Sequence, residues 1–425
     1  MVHFQNSLDF ARQLDSNDPL KGFRDKFYLP IINGQECVYF TGNSLGLQPK
    51  TTQDYVLNEL EDWASFGVEG HFHARQPWFS YHEMFPQLLT KIVGGLPEEI
   101  VVMNQLTVNL HLLMASFYQP TGERFKIICE AKAFPSDQYA FESQVRFHGF
   151  DPGKAIIEVA PREGEHVIRT EDILSTIQQN AAETALVIFS GVNYYNGQVF
   201  DMKAIAKAAH EAGAYCGFDL AHAVGNIELH LHDWEADFAC WCSYKYLNSG
   251  PGGVAGAFVH QKHFSNTNLP RLAGWWGYEK STRFLMQKGF KPIETAEGWQ
   301  LSNAPILSMA AHKASLDIFE EAGMDRLLAK GKMLSDYLFY IIDSINTATT
   351  EKLIEVITPR DAKGCQASML MRKMGREVFE ALKNNGVIAD WREPNVIRVA
   401  PVPLYNSFED IHRFGEIIRG ILKSA

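Results

Sequence analysis

Between residues 95 and 260 the chain alternates short apolar runs with longer helical ones, and no other feature restricts its fold so strongly. The candidate strands are EIVVMN (99–104), FKIICE (125–130), AIIEVA (155–160), ALVIFSGV (185–192), AYCGFDL (214–220), FACWCS (238–243) and GAFVH (256–260). Helix-like segments lie between several of them: VNLHLLMASFY, SDQYAFESQVRFHG, TEDILSTIQQN and MKAIAKAAHEAG. The last ends on a glycine stop, and TED opens its predecessor with a capping residue and early acids. Apolar strands alternating with helices predict an α/β fold whose mostly parallel, seven-stranded sheet is covered on both faces. Ligands in such folds gather at the carboxyl ends of the strands.

After residue 305 the pattern changes to long helices, with Leu327, Leu334, Leu338, Ile341 and Ile345 at helical spacing. Strand-like KLIEVIT (352–358) and ASMLMR (367–372) follow, then the helical REVFEALKNNG and the strand-like VIRVAPV. This predicts a second, smaller α+β layer, and 425 residues are too many for one ordinary core. The expected division is an N-terminal segment (1–60) packing with the small domain or a partner subunit, a large domain (61–305) and a small C-terminal domain (306–425). Neither an internal repeat nor a low-complexity linker separates them.

A net charge of −11 without a basic stripe argues against nucleic acid or an anionic membrane as partner. The N-terminus lacks a basic segment followed by an apolar core, and no apolar run is long enough to span a bilayer, so a cytoplasmic protein is expected. The six cysteines show neither a CxxC pair nor framework spacing, which predicts buried free thiols and no metal site.

Two strand ends carry the chemistry. Asp219 closes one predicted strand and Lys245 follows the next, inside CSYKYLNSGPGG, so both side chains stand over one crevice. Such a pair is either a structural ion pair or a bracket around a flat heteroaromatic cofactor, pyridoxal phosphate. That cofactor needs an amine for its aldehyde and a carboxylate opposite its pyridine nitrogen. Its phosphate needs donors, and Thr107 sits at a helix start, either as an anion-binding hydroxyl or as a plain cap. Its ring needs a cover, and Phe134 stands at another strand-to-helix junction, although it also passes as a core residue.

Several long blocks together resemble kynureninase, a pyridoxal-phosphate enzyme family of the aspartate-aminotransferase superfamily with fold type I. They are YFTGNSLGLQPK, NQLTVNLHLLM, EAKAFPSDQYA, FSGVNYYNGQ, GFDLAHAVGNIELHLHDWEADFACWCSYKYLNSGPGG, GWWGYEKSTRF, LSNAPIL and IRVAPVPLYNSFED. The resemblance implies hydrolytic Cβ–Cγ cleavage of L-kynurenine, 3-hydroxy-L-kynurenine or both, giving anthranilate or 3-hydroxyanthranilate and L-alanine.

It further implies that Lys245 carries the cofactor, that Asp219 pairs with its ring nitrogen and that Tyr244 donates a proton to the β carbon. Implied cofactor contacts are Leu106, Thr107, Phe134, Pro135, Ser136, Asp137, Ser190, His222 and Tyr244, with Trp275 and Asn303 reaching in from the partner subunit of a homodimer with shared sites. His71, with His73 as its rival, and Ser302 and Asn303 are implied around the substrate's ring. The polar groups of His71 and Asn303 suit a ring hydroxyl, which favours the hydroxylated substrate or both. Arg398, between Ile397 and Val399, is the expected clamp for the α-carboxylate, assisted by Asn43. The family often has Phe where this chain has Trp276, so the ring pocket differs there.

Two rival readings share parts of this pattern. A cysteine desulfurase or selenocysteine lyase has the same lysine and aspartate but needs a persulfide-forming cysteine, for which Cys365 is the candidate; its place at the start of a predicted strand marks it as structural. A non-catalytic protein on a borrowed fold has no use for the lysine, aspartate and phosphate-site set.

Overall fold

The computed structural model describes residues 3–266, 268–347 and 352–423. Its centre is a seven-stranded sheet of β1 (Ile100–Val102), β2 (Lys126–Glu130), β3 (Ile156–Val159), β4 (Thr184–Ser190), β5 (Tyr215–Asp219), β6 (Phe238–Trp241) and β7 (Gly256–Val259). The order across the sheet is β1-β7-β6-β5-β4-β2-β3. β2 to β6 pair in parallel wherever they meet, and β7 runs antiparallel to both of its neighbours. The strand at 256–260 thus departs from the parallel set while staying in the same sheet.

Period-two alternation divides the strand side chains between two covered faces. Ile128, Val187, Phe189, Cys216, Phe218, Ala239 and Trp241 enter one core with the helices Phe85–Val93 and Met202–Glu211. Ile127, Cys129, Leu186, Ile188, Phe238 and Cys240 enter the other with Leu106–Phe117 and Pro135–Phe147. Asp201 caps Met202–Glu211 by accepting from Ala204 N at 3.0 Å. The TED segment behaves differently from its expected cap: Thr170 is the first helical residue and Arg169 holds the cap position, while Asp172 is engaged by Arg162 at 2.8 Å.

A second, antiparallel sheet has the order β8 (Ile354–Val356), β9 (Ala367–Met371), β11 (Val396–Val399), β10 (Asp390–Arg392). Its core gathers Leu334, Leu338, Ile341 and Ile345 of the helix Met324–Thr347, Ile411 and Phe414 of the helix Phe408–Lys423, and Ala11, Val38 and Phe40 from the N-terminal region. Val38–Tyr39 pairs in parallel with Val387–Ile388, which ties the chain start to this layer. All six cysteines are free and buried. Among the described residues no helix is long and apolar enough to cross a membrane.

Candidate active site

The connections of the central sheet reverse direction between β2 and β4: β3 lies beyond β2, while β5 and β6 lie beyond β4. Strand ends splay at such a point and leave a crevice at their carboxyl side. There the structure has a cavity of about 260 Å³. Ends of neighbouring strands supply its floor, namely Glu130 of β2, Ser190 of β4 and Asp219 of β5, with Cys242, Tyr244 and Lys245 just past β6.

Its rim comes from helix starts. Gln105, Leu106 and Thr107 begin the helix Leu106–Phe117, whose N-cap position makes no side-chain hydrogen bond, so its first N–H groups face the cavity uncapped by a side chain. Phe134, Ser136 and Asp137 come from the start of Pro135–Phe147, where Pro135 occupies the first turn and does not reach the cavity. The Phe134 ring centroid lies 5.9 Å from Lys245 Nζ, and Tyr194 meets that ring edge-on at 5.2 Å.

Burial sets the charge state of each group. Lys245 Nζ lies 3.2 Å from His222 Nε2, and no carboxylate lies within ion-pair distance of it among the described residues. Burial and then the Lys245 ammonium hold the His222 imidazole well below its ordinary range, so it is neutral and accepts from Lys245. Asp219 is 6% exposed; burial raises its carboxyl, opposed by the Ala221 N–H at 2.7 Å and by Lys245. Burial and the adjacent Asp219 push Asp137 well up, so the two neighbouring carboxyls hold on to a proton as a pair. Burial takes Glu130 up to about 7 while Ser190 N–H donates to it at 3.1 Å. Burial, then Cys242, raises Tyr244, which stays a phenol.

Several expected residues stand apart from this cavity. Arg398 is 1% exposed; its guanidinium donates to the Tyr194 carbonyl behind the cavity wall and to Asp390. Asn43 is buried and donates to Gln366 Oε1 at 2.9 Å. His71 donates from Nδ1 to Val68 O at 2.9 Å and packs edge-on against Trp78, whereas His73 is exposed beside Glu69. Trp275, Ser302 and Asn303 lie on the exposed surface of the single chain. Trp276 is buried under the Arg283 guanidinium and against Phe79 and His82, so its larger ring fills the interior. Glu130, Tyr194 and Cys242 went unrecognised in the sequence, although Glu130 carries the same signal as Asp219: an acid closing an apolar strand.

Kynureninase from Flavobacterium psychrophilum is 56% identical over 424 residues, covering 99% of this chain and 100% of that protein. The chain belongs to the kynureninase family. Kynureninase from the animal Nematostella vectensis is 48% identical over 439 residues, covering 98% of this chain and 94% of that one. A model of the kynureninase C-terminal domain matches residues 327–418, the stretch that holds Arg398. Solved structures share the fold at low identity. An apo cysteine desulfurase from Thermococcus onnurineus superposes with a TM-score of 0.75 at 17% identity and full coverage of both chains. A mutant of C-DES with glycine covalently linked to its PLP cofactor gives 0.76 at 14%, covering 90% of this chain and 96% of that one.

Proposed function

We propose that this kynureninase-family chain hydrolyses the Cβ–Cγ bond of L-kynurenine, 3-hydroxy-L-kynurenine or both, releasing anthranilate or 3-hydroxyanthranilate and L-alanine, with pyridoxal phosphate on Lys245. One observation carries the reading: an amine without a carboxylate partner among the described residues ends in a cavity opposite a buried carboxylate at the switch point of the sheet.

The cavity fits the cofactor. Asp137 Oδ1 and His222 Nδ1 are buried there with no hydrogen-bond partner among the described residues, and the start of Leu106–Phe117 offers N–H groups and the Thr107 hydroxyl to a phosphate. When bound, pyridoxal phosphate supplies an aldehyde for the lysine and a ring that withdraws electrons from the substrate's α carbon.

The chain's residues divide the remaining work. Lys245 would take the α proton, with neutral His222 holding its Nζ in place. Asp219, at the end of its strand and beside Asp137, would stand opposite the ring nitrogen and keep it charged. Phe134, whose ring lies 5.9 Å from Lys245 Nζ, would cover the ring face. Tyr244, a phenol at all working pH values, delivers a proton to the substrate's β carbon. Arg398, assisted by Asn43, binds the α-carboxylate.

The residues assigned to the aryl ring, His71, Ser302 and Asn303, and the cofactor contact Trp275 line no part of the chain's own cavity, which fits a homodimer whose partner completes each site. Exposed Leu57, Leu60, Trp63, Phe66, Val68 and Phe72 on and after the helix Thr52–Phe66 supply apolar surface for that contact. The two sheets support a large domain over 61–305 and a small one over 306–425, although Met309, Leu316 and Phe319 of Ile306–Ala322 lie in the core under the central sheet. Six buried free cysteines suit the reducing cytoplasm.

A steady-state comparison of the two substrates, reading anthranilate or hydroxyanthranilate, tests the activity. Cleavage of neither, with sulfide released from cysteine, would transfer the chain to the desulfurases. Borohydride reduction followed by peptide mapping should label Lys245; an unlabelled peptide there removes the assignment.

A further inference from the structure

The arginine assigned to the substrate's carboxylate already holds a carboxylate. Asp390 of β10 stands directly opposite Arg398 of β11 in the antiparallel register. Its Oδ2 accepts from Arg398 Nη2, from Arg392 Nη2 at 3.2 Å and from Ser44 Oγ at 2.8 Å. With Arg398 1% exposed, an incoming ligand has no access to its guanidinium while this pair stands.

The cluster is unbalanced. Two guanidiniums share one carboxylate, which leaves one positive charge over. Arg398 Nε and Arg392 Nε are both buried without an acceptor among the described residues. Buried donors ordinarily find partners, and an unpaired charge in a low-dielectric setting is costly. The field of both arginines reaches the cavity: after burial and Lys245, they are the next groups that hold His222 neutral. A single additional carboxylate, arriving past Tyr194, balances the charge and offers the missing acceptors.

We propose that Asp390 is an internal stand-in for the substrate's α-carboxylate, which Arg398 gives up to Arg392 and Ser44 when the substrate arrives. Arg392 is on this account a residue that sets affinity for the substrate. The exchange makes and breaks only ion pairs, and Asp390 keeps two donors throughout. The inference rests on the reading of Arg398 as the α-carboxylate clamp.

The test titrates holoenzyme with L-alanine, which carries an α-carboxylate, and with alaninamide, which lacks it, following cofactor absorbance. Asp390→Asn preserves size and removes the competing charge. It should tighten L-alanine by roughly tenfold, the scale of one charge-assisted contact, and leave alaninamide unchanged. Arg392→Gln should weaken L-alanine by a similar factor, and should lose most of that effect when combined with Asp390→Asn.

Weaker L-alanine binding by Asp390→Asn means that Asp390 only props up Arg398, and overturns the proposal, as does an unaltered Arg392→Gln enzyme. If Asp390→Asn does not fold, Arg392→Gln alone decides. Arg398→Lys controls the underlying reading: an unchanged ratio of L-alanine to alaninamide affinity removes Arg398 from the site, a result separable from either outcome at Asp390.

Discussion

A thiol that carries a persulfide must be reachable and must ionise. Cys365 is 2% exposed, and burial pushes its thiol up to about 12. Its backbone N–H donates to Asn226 Oδ1 at 2.8 Å, which fixes it just ahead of β9. Cys365→Ala is therefore expected to keep kynurenine turnover within about twofold of the parent while costing about 1 kcal/mol of stability for the lost buried volume. Initial rates and a thermal midpoint check both parts; abolished turnover with a folded protein would revive the desulfurase reading. Asp219 and Lys245 were legible in the sequence because each is a polar residue where an apolar strand ends. Arg398 was legible only as an arginine between two aliphatic residues. Its engagement by Asp390 was not, because the two meet through a pairing of β10 with β11 that no local pattern encodes.

Seven apolar runs between turn signals became the seven strands of one sheet, since a strand buried on both faces declares itself by composition alone. The three-residue β10 and the two-residue pairing of Val38–Tyr39 with Val387–Ile388 were missed: both are too short and too polar or isolated to show a period, and long-range contacts decide them. Close strand packing sets one sharp demand. Gly217, in the middle of β5, faces the Phe238 ring of β6, and a Cβ there would overlap that ring. The ring is fully buried between Phe117 and the sheet, so it has nowhere to go. Gly217→Ala should cost about 2 kcal/mol or more through overpacking. Because β5 ends on Asp219, the same strain should loosen the cofactor. Thermal midpoint and bound pyridoxal phosphate per chain are expected to fall together; a fall in stability with full cofactor occupancy would show that the strand end is decoupled from its middle.

The proposed completion of each site by a second copy predicts complementation. Lys245→Ala and Asn303→Ala chains are each expected to be inactive, yet random re-pairing gives hybrids with one intact site and recovers up to roughly a quarter of the parent activity. No recovery after verified exchange of subunits would mean that each chain builds its site alone. Acid stability is also a property of the whole fold, and one residue makes it testable. His312, on the helix Ile306–Ala322, is fully buried against Phe85, neither ring nitrogen has a partner among the described residues, and burial takes its imidazole down to about 3. Above the unfolded value near 6.5 the ring is neutral in both states and titration has no effect on stability. Below it the unfolded chain binds a proton that the folded chain refuses, so stability is lost progressively as pH falls toward about 3. Between pH 7 and pH 5 that loss is about 2 kcal/mol for a single group. His312→Leu fills the same space without a titrating nitrogen, so its thermal midpoint should fall less between those pH values than that of the parent. Comparing the two holoenzymes cancels every other titration they share, and parallel curves would mean that water or a partner reaches the ring.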